Sequence, residues 1–273
     1  MNNNYNIYQK IDEICARLEG FRAFNPKLAK LSYSGGRDSH LLLHILRNVL
    51  KLNNEQFPAI YAKTYNEFAE IKHRIEEQDI TVVDSGRRVF EVFEEVGVPL
   101  WSKDCSVNIY YASKNEKKYT KRWAKKSKSQ WNFTDNYFWC KKNNIICSDK
   151  CCKLLKENIL NKNKARVVGL REEEGGRRSE GQKEYDFCVR NSKVLFKPIF
   201  DVTNSELMEI EKALRIEPLN IYNYLDRTGC VMCGFGTKKQ IAKKINYLRW
   251  YEPSRAAFYL KYFDKYLRYR KII

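Results

Sequence analysis

The sequence predicts an α/β fold: a doubly wound, mostly parallel sheet with a basic insertion and a helical C-terminal tail. Three observations carry this. Short apolar runs alternate with helix-length amphipathic segments, as in a sheet covered by helices on both faces. The first such run stops at Ser34-Gly35-Gly36 and a helix begins at once. The alternation breaks between Trp101 and Cys147 and then resumes.

Taken in order, Ile7 to Leu18 have helical apolar spacing and Leu28 to Tyr33 form a strand that ends in the glycine turn. His40 to Leu50 continue without breakers as a buried helix. Phe57 to Ala62 and Ile80 to Val83 are the next strands, each followed by a helix, Glu67 to Glu77 and Val89 to Val96. From Ser113 to Trp131 eight Lys or Arg face one acid, interleaved with Tyr119, Trp123 and Trp131, and this reads as an inserted basic arm. Ala165 to Leu170 and Val194 to Ile199 return as strands. At Asp201-Val202-Thr203 an N-cap-like residue then opens a helix through Leu214. Lys238 to Ile273 form a basic, aromatic, helical tail. The expected organisation is one domain over 1–236, interrupted at about 101–147, with a tail over 237–273 packed on it.

With 273 residues, 43% hydrophobic and 31% charged, the chain has the composition of a globular protein, and no apolar run approaches the roughly 18 residues of a membrane span. The N-terminus lacks the layout of a secretory signal, so a cytoplasmic, non-membrane protein is expected. Nine cysteines in a reducing compartment point to metal ligands or catalysts where they cluster. The net charge of +18 suits a polyanionic partner, tRNA or DNA, or a highly charged nucleotide.

A strand, a Gly-Gly turn and a helix N-terminus aim backbone N–H groups and a partial positive charge at one point, which suits phosphate. Ser34 and Ser39 add hydroxyl donors; Asp38 is placed as a Mg2+ ligand or a helix cap. The spacing differs from the Gly-x4-Gly-Lys-Ser/Thr loop, so terminal-phosphate chemistry is not expected. Four cysteines form two tight pairs, Cys151-Cys152 and Cys230-Val231-Met232-Cys233, and four thiolates suit zinc or a 4Fe-4S cluster equally on chemistry alone. Cys15 and Cys188 read as small apolar residues.

Ser34-Gly35-Gly36-Arg37-Asp38-Ser39 resembles the Ser-Gly-Gly-x-Asp-Ser signature of the PP-loop ATP pyrophosphatase superfamily. That resemblance implies an adenine nucleotide alpha hydrolase-like fold whose loop holds the pyrophosphate of ATP while the α-phosphate is attacked. The products would be an adenylated intermediate and pyrophosphate. Cys151-Cys152-Lys153-Leu154-Leu155-Lys156 resembles the iron-sulfur branch of the phosphoadenosine phosphosulfate reductase family, which is similar to DNA-phosphorothioation and tRNA-thiolation proteins. The likeness extends to Thr64 to Phe68, Gly169-Leu170-Arg171, Pro198 to Thr203 and Ile221-Tyr222 ahead of Arg227 to Cys230, most of residues 28–236.

It implies a 4Fe-4S cluster, with zinc the lesser choice, on Cys151, Cys152, Cys230 and Cys233, with Cys140 or Cys147 able to replace Cys151. It also implies a nucleotide site at Ser34, Gly35, Gly36, Arg37, Asp38, Ser39, Thr64, Glu67, Gly169 and Arg171, with Asp38, Arg171 and Arg178 catalytic. Two departures concern chemistry. Gly175 stands at the family's Ser position, and no cysteine follows Cys233 where the reductases carry a nucleophile, leaving Cys105, Cys140 or Cys147 as substitutes. The expected function is therefore an ATP-dependent, adenylating sulfurtransferase acting on a nucleic acid or nucleotide. Lys117, Lys118, Lys121, Arg122 and Trp123 would hold the nucleic acid, with Trp123 stacking on bases. A sulfonucleotide reductase, and an ATP-binding subunit working with a cysteine desulfurase or other sulfur donor, are the alternatives; a dimer is compatible with the sequence.

Overall fold

The structure is a computed structural model describing residues 3–124, 132–174, 188–191 and 193–273. In chain order its elements are α1 (Asn3–Phe24), β1 (Leu31–Tyr33), α2 (Arg37–His44), β2 (Ala59–Lys63), α3 (Ala69–Glu76), β3 (Thr81–Asp84), α4 (Val89–Val96) and β4 (Leu100–Trp101). There follow α5 (Lys103–Lys114), α6 (Glu116–Ala124), α7 (Phe133–Lys142), α8 (Lys150–Cys152), α9 (Asn158–Lys162), β5 (Val167–Val168), β6 (Cys188–Asn191) and β7 (Lys193–Phe196). The last four are α10 (Asn204–Ala213), β8 (Gly234–Phe235), α11 (Lys238–Tyr251) and α12 (Pro253–Tyr269).

Two compact units result. The first comprises Met1–Lys63, Glu70–Val83 and Asn158–Leu219. Its sheet runs β3-β2-β1-β5-β7-β6, with five parallel strands and β6 antiparallel at the edge. The five expected strands are present; β6 is an addition. β1 is central, and Leu31 and Tyr33 are buried because helices cover both faces of a parallel sheet. The strand order reverses at β1, since β2 and β5 flank it on opposite sides, and in such sheets ligand crevices open beyond the carboxyl end of that strand. α1 buries Ile7, Ile11, Ile14, Leu18 and Phe21, spaced by three and four residues, and Phe21 stacks on Phe196 of β7 at 4.4 Å. The cap of α10 is Thr203: its Oγ1 accepts from the Glu206 N–H, and the Glu206 carboxylate accepts from the Thr203 N–H.

The second unit comprises Thr64–Ala69, Asp84–Glu157 and Asn220–Ile273. The segments that carry Cys151, Cys152, Cys230 and Cys233 thus group with the tail and not with the phosphate-loop segment. The expected basic arm instead carries three helices among its described residues: α5, α6 and α7 pack on one another through Tyr111, Tyr119, Trp123, Phe133 and Tyr137. Lysines at every third or fourth position hide this amphipathicity, because their charge masks the few ring positions that do the packing. The tail is two helices joined at Glu252, with Pro253 at the first position of α12, where its missing N–H costs nothing. Tyr266 of α12 donates to the Gly234 carbonyl at 2.8 Å and accepts from the Trp101 N–H at 2.9 Å, clamping the parallel β4–β8 pair. Among the described residues no helix is long and apolar enough to cross a membrane.

Candidate functional site

The loop after β1 is shaped by steric necessity. Gly35 has φ +73°, and a Cβ there would stand 2.8 Å from Ile71 Cγ2 and 2.9 Å from Ile75 Cγ1. Gly36 is the extended N-cap of α2. Ser34 and Ser39 lock the turn from inside: their hydroxyls are 3.0 Å apart, Ser39 Oγ donates to the Gly36 carbonyl at 3.0 Å, and the Ser34 N–H donates to Ser39 Oγ at 3.2 Å. The positive end of α2 therefore points from a preorganised turn at the carboxyl end of the central strand.

Gly169 and Arg171, at the end of neighbouring β5, complete this region. A Cβ on Gly169 would lie 2.8 Å from the Asp38 carbonyl carbon and 2.8 Å from the Ser39 nitrogen, so the two backbones meet only because Gly169 lacks one. Buried Arg171 donates from Nε to Asp38 Oδ1 at 2.5 Å and from a terminal nitrogen to Asn204 Oδ1 at 2.9 Å. Asp38 is thus held by Arg171 and is not a side-chain cap of α2. Arg37 turns to Glu211 of α10, its Nε 2.8 Å from both carboxylate oxygens, so it offers the loop its backbone while its guanidinium anchors α2. Sequence reasoning missed Glu211, a buried carboxylate whose partner lies 174 residues away. Gly175 and Arg178 lie outside the described residues.

In the second unit Cys151, Cys152, Cys230 and Cys233 line one pocket with Asn66, Val89, Phe93, Leu155 and Lys156. Cys151 and Cys152 stand on the first turn of α8. Their mutual hydrogen bond pushes the Cys151 thiol up and, helped by Lys156 and Lys103, brings Cys152 down to about 7. Burial holds Cys233 up at about 11. The Cys230 sulfur raises Lys156, chiefly through its charge and also as a hydrogen-bond partner. Among the described residues no three His, Cys, Asp or Glu side chains already stand at mutual metal-binding distance. The donor set nevertheless fits a thiolate-bound centre: four sulfurs, the Lys156 ammonium in the lining with Lys103 and Lys244 acting on single thiols by charge, and a wall of apolar side chains.

The residues that hold this pocket together were not legible as such. Asn66 accepts the Met232 N–H on its side chain and the Val231 N–H on its carbonyl, both at 2.8 Å, so it fixes the turn between Cys230 and Cys233. Thr64 and Glu67 serve the same end. The Glu67 carboxylate accepts from the Thr64 hydroxyl at 2.5 Å and from the Asn66 N–H at 3.0 Å, holding the segment in which Tyr65 takes φ +58°. From the tail, Tyr259 and Lys244 donate to the Cys233 carbonyl at 3.2 and 2.5 Å. A Thr-x-Asn-Glu run ahead of a helix carried some signal; Lys244 and Tyr259 carried none.

The other thiols form a separate group. Cys147 Sγ is 3.1 Å from Ser106 Oγ, the Asn136 amide donates to Cys105 Sγ at 3.7 Å, and Cys140 is pushed up first by its hydrogen bond with Cys147. Cys140 and Cys147 therefore pair with each other, and Cys151 keeps company with Cys152, Cys230 and Cys233. Cys105, Cys140 and Cys147 are 0–2% exposed, which does not suit the role of an open nucleophile. Cys15 is buried as expected; Cys188 lies in β6.

On the basic segment, Lys117, Lys118 and Lys121 are exposed on α6, but Trp123 is 5% exposed, packed between Tyr119, Phe133 and Tyr137. The expectation that Trp123 stacks on bases is corrected: its ring is the core that attaches α6 to α7. No protein-family model matches the chain, and no curated protein matches it.

Proposed function

We propose that this protein is an ATP-dependent, adenylating sulfurtransferase that modifies a nucleic acid or nucleotide, built on an adenine nucleotide alpha hydrolase-like PP-loop unit. The observation that carries the reading is the Ser34–Ser39 turn at the strand-order reversal, closed by Gly169 and Arg171. A pyrophosphate there would meet the N-terminus of α2, and its charge would draw Arg171 from Asp38. The freed Asp38 carboxylate would then hold the Mg2+ that neutralises the nucleotide. The acceptor oxygen forms a bond to the α-phosphorus as the bond to pyrophosphate breaks. A sulfur nucleophile then displaces AMP from the acceptor atom, so oxygen leaves as part of a stable phosphate monoester.

Cys151, Cys152, Cys230 and Cys233 would hold an iron-sulfur cluster, with zinc the lesser choice; a bound cluster supplies iron as a soft anchor for the incoming sulfur. The sulfur donor, a cysteine desulfurase or another source, is a partner of this reaction.

Anaerobic incubation of the full chain with ATP, Mg2+, sulfide and bulk tRNA or DNA tests the proposal. Pyrophosphate and AMP should appear in equal amounts and depend on the nucleic acid, and Ser39→Ala should lower both. Release of ADP and phosphate instead, or no pyrophosphate above background, would refute it.

A further inference from the structure

The C-terminal helices carry a surface that the chemistry above does not use. Residues 238–273 hold eleven Lys or Arg against two acids, so about an eighth of the chain supplies half of its +18 net charge. Ion pairs in this segment engage Lys243, Arg255 and Arg268. The inward face of α12 is spent on Ala256, Tyr259, Phe263, Tyr266 and Leu267.

Its outward face alternates rings and cations. Phe258, Lys261, Tyr262, Lys265 and Tyr269 recur at three- and four-residue spacing and so fall on one side of the helix. Phe258, Tyr262 and Tyr269 are 46%, 40% and 37% exposed. Phe258 and Tyr262 stack with centroids 6.3 Å apart, and Phe90 backs both, edge-on to Phe258 and tilted to Tyr262, which fixes the rings while leaving part of each in water. Just before the helix junction Trp250 is 66% exposed. On α6, by contrast, the cations are outside and the tryptophan is inside.

Exposed rings fixed by packing and interleaved with lysines match what an unpaired strand presents: a phosphate for each cation and a π-face for each ring. A duplex keeps its bases stacked inside and would use the charges alone. A lipid surface would call for exposed aliphatic residues among the rings, and between Pro253 and Tyr269 the exposed large apolar residues are the rings themselves.

We propose that the outer face of α12 binds a single-stranded segment of nucleic acid, phosphates on Lys261 and Lys265 and bases on Phe258 and Tyr262, with Trp250 as a further platform. The proposal rests on the functional reading above for the identity of the acceptor, but its test does not. DNA and RNA offer the same phosphates and ring faces, and the experiment separates them.

The assay is fluorescence anisotropy of the full chain, without ATP, on labelled oligothymidylate, oligouridylate and a duplex of equal length at several salt concentrations. Single strands should bind more tightly than the duplex. Trp250→Ala and Phe258→Ala should each weaken single-strand binding about tenfold, within the range for one lost stacked base, and leave duplex binding nearly unchanged. Lys261→Gln with Lys265→Gln, surface changes that spare the packing, should flatten the logarithmic salt slope by about 1.4 for two lost phosphate contacts.

Equal affinity for duplex and single strand with no effect of the ring variants would overturn the proposal. So would wild-type binding by the double lysine variant while Lys117→Gln with Lys118→Gln abolishes it, or tighter binding to vesicles of anionic lipid. Strand binding that persists in a chain releasing no pyrophosphate would sink the catalytic reading and leave this one standing.

Discussion

Replacing Gly169 by alanine tests whether the phosphate loop depends on the close passage of two backbones. The added Cβ would stand 2.8 Å from the Asp38 carbonyl carbon and the Ser39 nitrogen and 3.0 Å from the Asp38 oxygen. Atoms of this kind prefer about 3.5–4.0 Å, so the first turn of α2 or the end of β5 must retreat by roughly 0.5–1 Å. These are backbone atoms, tied down by the Ser34–Ser39 bonds and by Arg171, and they cannot rotate away as a side chain would. Overpacking of this sort costs about 1–3 kcal/mol, which lowers the melting temperature by about 2–10 °C in a chain of this size. Displacing a preorganised loop by about 1 Å lowers its catalytic use on the order of 100-fold. Thermal unfolding and calorimetric titration with MgATP read both consequences, with Gly229→Ala as the control, since a Cβ there meets nothing within 4 Å. Wild-type melting and wild-type ATP affinity in Gly169→Ala would refute the claim that this glycine seats the loop.

Other perturbations follow from the same geometry. Gly20 lies inside α1 with open space at its Cβ, so Gly20→Ala should stabilise the chain by about 0.5–1 kcal/mol in denaturant titration. His40 is held neutral, its pKa lowered to about 3 mainly by burial, with Arg74 and His44 adding repulsion, and its ring lies 3.2 Å from the Tyr33 hydroxyl. A depressed pKa on a base means that the unfolded chain takes up the proton first. The stability His40 contributes is therefore complete above pH 6.5 and is lost as pH falls toward 3, by about 1–2 kcal/mol at pH 5. Urea titrations of His40→Gln should show a shallower acid-side decline, and an unchanged slope would exclude His40 as its source. Asn66→Leu leaves the Met232 N–H without its partner, at a cost of about 1–3 kcal/mol, and loosens the turn between Cys230 and Cys233. Anaerobic reconstitution should then retain less iron per chain, whereas Asn66→Asp, which keeps the acceptor, should retain more than Asn66→Leu.

Much of the fold was legible because its signals are local. A three-residue apolar strand, a Gly-Gly break and an amphipathic helix are each set by neighbours within a few positions, and β1, α2, α4 and α10 appear where the pattern places them. β6 was missed: it is a short edge strand without an apolar run, and only pairing with β7 defines it. The helices of the basic segment were missed for the opposite reason. Their packing rests on a few rings, Trp123 above all, that charge counting treats as decoration on a solvated arm.

The sites divide along the same line. By itself the sequence determined that a Ser-Gly-Gly turn follows a strand, that two cysteine pairs exist and that the tail is basic, aromatic and helical, because these are matters of adjacency and composition. Only the tertiary structure decided that Cys140, eleven residues from Cys151 in sequence and beside it in no other sense, belongs with Cys147 and Cys105. It alone placed Trp123 inside and Phe258 and Tyr262 outside, and gave Asn66 the turn between Cys230 and Cys233 to hold. Each of these rests on contacts between residues far apart in the chain or on which face a helix buries, and local sequence carries the period of a helix but not the identity of what lies against it.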